Sequence, residues 1–272
     1  MTANEPFTIT VLTDYGPLSD MAFAEVTQSL YDRMKGLSTR IREYSVPAFD
    51  TVQTGFMLAQ TAINSKLGDK HLFFVNTAPR HDSEKPRKDS AGEKLVYLKL
   101  HNGVRIVAVN SGFSLALVKE AAEEIRVVSV ENAGSQFRSR DYYPKILGEV
   151  AHDHYKNITK KKPIIADMPE NVVGFVDGYG NLKCTIDPVK LKKHLGKFVA
   201  VEINGRKHFI KIGTSIFDVP DGYLCMAPGS SGWTLPNGKK RAFAEIVRRS
   251  GSAFRDFGNP KGGATVTWTA AL

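Results

Sequence analysis

Strands and helices alternate through the first half of this chain, and that alternation restricts the fold more than any other feature. Thr8–Leu12 is a β-branched, apolar run that ends in Thr13-Asp14-Tyr15-Gly16. It reads as a buried strand with polar residues at its carboxyl end. Asp20–Met34 spaces Met21, Phe23, Ala24, Val26, Leu30 and Met34 among polar residues, the pattern of an amphipathic helix. A strand over 39–46, a helix over 52–63, and strands over 71–75 and 104–109 continue the series. A helix over 114–122, a strand over 127–130 and a helix over 142–154 complete it. Such a series predicts an α/β fold whose N-terminal, largely parallel sheet is covered by helices on both faces, spanning residues 1–157.

The pattern then changes. Residues 158–170 are basic and proline-bearing, with Lys160-Lys161-Lys162-Pro163 and Met168-Pro169, and read as a linker. Beyond them, short apolar runs over 172–176, 198–203, 207–212, 223–227 and 265–269 are separated by glycine-containing turns. A smaller C-terminal, mostly antiparallel β domain over 171–272 is expected.

A chain of 272 residues with 42% hydrophobic side chains can fill two such cores without staples. Its only cysteines, Cys184 and Cys225, lack zinc-site spacing and suit a reducing compartment as small buried side chains. Met1–Pro6 carries no basic leader and no stretch reaches membrane-spanning length, so the expected location is the cytoplasm, with no membrane partner. The net charge of +9 raises nucleic acid as a partner. The basic residues are dispersed and join no nucleic-acid motif. A solvated surface, or attraction of an anionic small molecule, accounts for them more simply, and nucleic acid stays the remoter reading.

Two elements carry binding chemistry. In an open parallel sheet, ligands sit beyond the carboxyl ends of the strands, where Asp14 is placed. Its two acceptor oxygens suit a ribose diol, and Gly16 permits close backbone approach; alternatively Asp14 is a helix cap or turn former. The second element is Val176-Asp177-Gly178-Tyr179-Gly180-Asn181-Leu182. It gathers a carboxylate, an aromatic face and an amide, groups able to hold an ammonium, stack on adenine and read its edge. Its structural alternative is a hairpin turn with glycine at positive φ.

In order, these pieces resemble the S-adenosylmethionine hydroxide adenosyltransferase (hydrolase) family, which also includes the fluorinase and chlorinase. Thr13–Gly16 is similar to that family's Thr-Asp-Phe/Tyr-Gly, and Asp177–Asn181 to its Asp-Arg-Phe-Gly-Asn. Val46–Gly55, Ser230-Ser231-Gly232 and the stretch from Glu245-Ile246 to Gly251-Ser252-Ala253 supply the rest. The resemblance spans nearly the whole chain. It implies that S-adenosylmethionine is substrate or ligand, with no other cofactor and no metal. Asp14, with Tyr15 beside it, would take the ribose hydroxyls, and Phe49 and Tyr179 would flank sugar and base. Asn181 and the backbone at Ser252 and Ala253 would read adenine. Asp177 would hold the methionine ammonium, and Ser230 or Ser231 its carboxylate. The family places each site between the N-domain of one subunit and the C-domain of its neighbour, which implies a homotrimer.

The family's reaction displaces methionine from the ribose C5′ carbon, with position and desolvation carrying much of the barrier. Its hydrolases handle water with an Asp, an Arg and a His. Here Asn76 stands at the Asp position, Ser83 at the Arg position and Arg138 at the His position. An amide and a guanidinium do not accept a proton from water near neutral pH. The family's Pro-Asp-Asn-Gly has become Val109-Asn110-Ser111-Gly112. Phe137, Ser139, Arg140 and Asp141 fall in the register of the fluorinase stretch that offers a serine to halide, which makes Asn76, Arg138 and Ser139 the candidate nucleophile pocket. The fluorinase Tyr-Pro-Ala-Thr, however, is not kept at Asn76-Thr77-Ala78-Pro79. His81 and Asp82 are candidate replacements for the lost proton acceptor, and Glu84–Glu93 reads as a polar surface insertion. His152-Asp153-His154 resembles a metal trio, but its histidines would leave a helix end on different faces, so a surface cluster is expected. Cleavage of S-adenosylmethionine by water or another small nucleophile is the leading expectation. A binding protein that has lost catalysis is the alternative, and a halogenase lies further off.

Overall fold

The computed structural model describes residues 5–16, 20–78, 94–130 and 137–270. His81, Asp82, Ser83 and the 84–93 insertion lie outside them. The chain divides into two units at Asp167/Met168.

The first unit is an α/β layer structure. Its strands are β1 (Phe7–Thr13), β2 (Thr39–Ser45), β3 (His71–Asn76), β4 (Leu95–Leu100), β5 (Arg105–Val109) and β6 (Ala122–Val127). They lie in the order β2-β1-β3-β5-β4-β6. β2, β1, β3 and β5 run parallel, while β4 pairs antiparallel with both β5 and β6. The sheet is therefore largely parallel. Its helices are α1 (Met21–Arg33), α2 (Thr51–Ile63), the short α3 (Arg138–Asp141) and α4 (Tyr143–Ala151). The Asp20 carboxylate caps α1 by accepting from Ala22 N at 2.9 Å. The apolar stripe Phe23, Val26, Leu30 then packs with Leu147 and Val150 of α4 over Ile9, Val11 and Phe74 of the sheet. Thr10 and Leu12, pointing the other way, are buried too, and α2 lies against β1. Both faces are covered, as the apolar runs require.

Four features of this unit differ from expectation. No helix covers 114–122: there is a short 3-10 turn at Val118–Ala121, because Ala122–Val127 is drawn into the ladder with β4. That same pairing moves the strand expected at 127–130 back to 122–127, leaving Val128 in an isolated bridge to Ile158. β4 itself is an additional strand. The segment read as a linker is pinned for most of its length: Val127 N donates to Lys161 O, and Lys119 Nζ to Ile165 O and Ala166 O.

The second unit is a seven-stranded sheet. Its strands are β7 (Val173–Val176), β8 (Leu182–Cys184), β9 (Phe198–Ile203), β10 (Arg206–Ile212), β11 (Leu224–Thr234), β12 (Lys240–Arg248) and β13 (Thr267–Ala270), with a one-turn helix α5 at Ala253–Asp256. The order is β13-β9-β10-β11-β12-β8-β7. Every pair is antiparallel except β10 and β11, which meet in parallel at Lys211–Cys225 and Ile212–Met226. Val173, Leu182, Val199, Ile210, Ile246 and Phe257 fill its core. Cys184 and Cys225 are buried free thiols, and burial pushes them up to about 12 and about 11. They are therefore unreactive small side chains.

Candidate functional site

In the first unit the chain leaves β1 toward β2 and returns past it to β3. The carboxyl ends of β1 and β3 thus form the point where the strand order reverses, the favoured ligand position in such sheets. Thr13, buried at the end of β1, donates its hydroxyl to Tyr15 O at 2.8 Å and sets the turn. Asp14 Oδ2 accepts from Phe49 N at 2.9 Å and from Ala78 N at 3.1 Å. One carboxylate oxygen thereby ties together the loops that follow β1, β2 and β3. Oδ1 has no partner among the described residues. Of the alternative reading, helix cap or turn former, the cap does not hold, since Asp20 caps α1, whereas the two backbone hydrogen bonds give Asp14 a loop-forming role.

Phe49 is held at φ +66, a left-handed conformation that is an outlier for a bulky residue. The next residue caps α2. Asp50 accepts from Gln53 N and Gln53 Nε2, both at 2.9 Å. Thr54 donates to Asp50 O at 2.8 Å and shares a 2.7 Å hydrogen bond with Thr77 just beyond β3. These links hold the Phe49 loop against the strand ends.

The nucleophile-pocket positions are partly brought together. Asn76 Nδ2 donates to Tyr15 Oη at 3.4 Å, and Ser139, buried in α3, lies close enough to the same phenol to lower its pKa. Burial, aided by the charges of Asp14 and Asp20, raises the Tyr15 pKa well above its ordinary value, so the ring stays neutral. Arg138 opens α3 close enough to Tyr143 to lower its phenol's pKa, against a larger upward effect of burial. Arg140 is committed to Asp141, at 2.6 Å, and to Glu25, at 3.2 Å. The groups gathered on Tyr15 are an amide, a hydroxyl and a phenol, which donate and accept hydrogen bonds but are not bases at neutral pH.

In the second unit, Asp177–Asn181 is the hairpin between β7 and β8, as its structural reading anticipates. Asp177 Oδ1 accepts from Tyr179 N and Asn181 N, both at 3.0 Å, and Oδ2 from Asn181 Nδ2 at 3.1 Å. Tyr179 is 83% exposed at the tip. Gly180, at φ +80, faces Ser252 so closely that a Cβ there would lie 2.1 Å from Ser252 Oγ. Phe254 N donates to Gly180 O at 2.8 Å, and Ser252 Oγ caps α5 through Arg255 N at 3.3 Å. The turn and the Ser252-Ala253 backbone therefore form one cluster. Ala253 turns its side chain into the core and can offer only backbone groups. Ser230, exposed, and Ser231, buried, lie where a bulge shifts the β11–β12 register. Ser230 N donates to Glu245 Oε2 at 3.3 Å.

One residue of this cluster escapes motif reading. Lys183, in the middle of β8 and 9% exposed, places Nζ 2.9 Å from Glu245 Oε1 and 3.4 Å from Asp177 Oδ2. Its only sequence signal is a lysine between the strand residues Leu182 and Cys184. His152-Asp153-His154 is a different case. Asp153 pairs with Arg105 at 2.9 Å and His152 Nδ1 bonds Gly148 O at 2.8 Å. Among the described residues no group of three or more His, Cys, Asp or Glu side chains is arranged to hold a metal ion.

The fold places the chain among proteins built from an α/β unit followed by a β unit. Solved structures share it. An uncharacterized conserved protein from Thermotoga maritima superposes with a TM-score of 0.70 at 19% identity, over 96% of this chain and 100% of that one. A conserved hypothetical protein from Thermus thermophilus gives 0.65 at 18%, over 97% and 100%. At such identities the likeness concerns the fold. No protein-family model and no curated protein matches the sequence.

Proposed function

We propose that this protein binds S-adenosylmethionine and displaces its methionine at the ribose C5′ carbon with a small anionic nucleophile. The reading rests first on the Asp14 carboxylate. It stands at the reversal of strand order with one oxygen anchored by two backbone N–H groups and the other directed to no described group. That is the acceptor a ribose diol needs. The exposed Tyr179 ring and the Asn181 and Ser252-Ala253 groups suit an adenine face and edge. The donor-rich set of Tyr15, Asn76 and Ser139 supports a nucleophile that arrives already charged. A sulfonium leaving group needs no protonation, so displacement by an anion requires no base.

That same set also favours a second reading, an adenosyl-binding protein without turnover, since none of its groups would activate water. One experiment separates them. Incubation with S-adenosylmethionine and individual anions, followed by chromatography, should release methionine and an adenosine product with at least one anion. Calorimetric binding without product would establish the second reading, and no binding would overturn both. A homotrimer and a cytoplasmic location complete the proposal. Sedimentation equilibrium at three times the chain mass would support the trimer. Among the described residues no helix is long and apolar enough to cross a membrane.

A further inference from the structure

Both oxygens of the Asp177 carboxylate are already engaged from inside the chain. A carboxylate offers about four lone-pair positions. Those of Asp177 face Tyr179 N, Asn181 N, Asn181 Nδ2 and, at 3.4 Å, the Lys183 ammonium. Lys183 is no mobile surface group. It sits in β8 directly across from Glu245 on β12, and its ammonium is held 2.9 Å from that carboxylate as well. A buried cation stays where two anions hold it, because moving it would leave all three charges uncompensated. An ammonium on a ligand approaching Asp177 would therefore find both oxygens engaged and would meet a like charge.

We infer that Lys183 is a specificity-determining residue. It satisfies Asp177 from inside the protein, so the site selects the adenosyl part of its ligand and does not require an amino-acid ammonium. The inference rests on the adenosyl reading above and extends the ligand class to uncharged 5′-substituted adenosines. In an otherwise similar cluster without Lys183, Asp177 would turn an oxygen to a ligand cation and discriminate strongly in its favour.

Calorimetric titration of the full-length protein with S-adenosylmethionine, 5′-deoxy-5′-methylthioadenosine and adenosine tests this. The first carries an ammonium; the others are neutral. The wild-type protein is expected to bind the first two with dissociation constants within about threefold of each other. In Lys183→Met, the ratio should move at least about tenfold toward S-adenosylmethionine. Lys183→Met also leaves the buried Glu245 carboxylate and the half-buried Asp177 carboxylate uncompensated, so Lys183→Met/Glu245→Gln, which restores the net charge of the cluster, provides a second variant, with folding checked by circular dichroism. A wild-type preference of tenfold or more for S-adenosylmethionine would overturn the inference, and so would an unchanged ratio in a folded variant. Failure of all three compounds to bind would overturn the adenosyl reading and this inference with it.

Discussion

Asp14 shows how much one side chain can hold. Its Oδ2 joins three loops through two charge-assisted hydrogen bonds, so Asp14→Ala should cost roughly 2–4 kcal/mol of stability, read by urea unfolding. Asp14→Asn keeps an acceptor oxygen; it should recover most of that stability while ribose binding by calorimetry stays weak. Phe49 offers the converse. At φ +66 it is strained by on the order of 1–3 kcal/mol, so Phe49→Gly should leave the melting temperature unchanged or higher while weakening the adenosyl ligand. His71 carries a pH dependence. It is buried between Thr10 Oγ1, 2.9 Å from Nε2, and Ser65 Oγ, 2.7 Å from Nδ1, and burial pulls its pKa down to about 4. The unfolded chain takes up this proton near the ordinary histidine value of 6.5, whereas the native state refuses it until about 4. Stability is therefore lost as pH falls through that window, by on the order of 2 kcal/mol once solvent screening is allowed for. His71→Gln should flatten the unfolding free energy between pH 6.5 and 4.

At the scale of elements, the hairpin between β7 and β8 depends on its contact with α5. A methyl group at Gly180 would collide with Ser252 Oγ and would also impose a left-handed φ on a residue with a Cβ. Gly180→Ala should lower stability by more than about 1 kcal/mol, and adding Ser252→Ala should recover only part, because the φ penalty remains. Double-mutant thermal melts would read the difference. The elements most legible in the sequence were those with a strong local pattern: β1, α1, β3 and α2 fall within a residue or two of expectation. Leu115, Ala116, Val118 and Ala121 are buried at helix-like spacing, yet no α-helix forms there. The competing ladder between β4 and β6 is a nonlocal contact, and no window of sequence reveals which partner wins.

For the whole molecule, each unit has its own buried core. The 168–272 fragment is therefore expected to unfold cooperatively by itself, whereas a fragment starting at Asn171 should be less stable, since Pro169 O accepts from Thr185 Oγ1 at 2.8 Å. Melting of the two fragments would decide. The sequence by itself determined the alternating α/β character of the first unit and its elements from β1 to β3, because apolar runs and amphipathic periods are local. It also placed Asp14 beyond a strand end and marked the Asp177–Asn181 hairpin, since turn chemistry is local as well. Only the tertiary structure decided which side chains meet. Tyr15 and Asn76, 61 residues apart, share a hydrogen bond, and Lys183 meets Glu245 across 62 residues. Such pairs depend on strand register and packing, which arise when distant segments bury their apolar faces against each other. For that reason Asp177, read in the sequence as a carboxylate able to hold a ligand ammonium, is found already paired with an ammonium of its own chain.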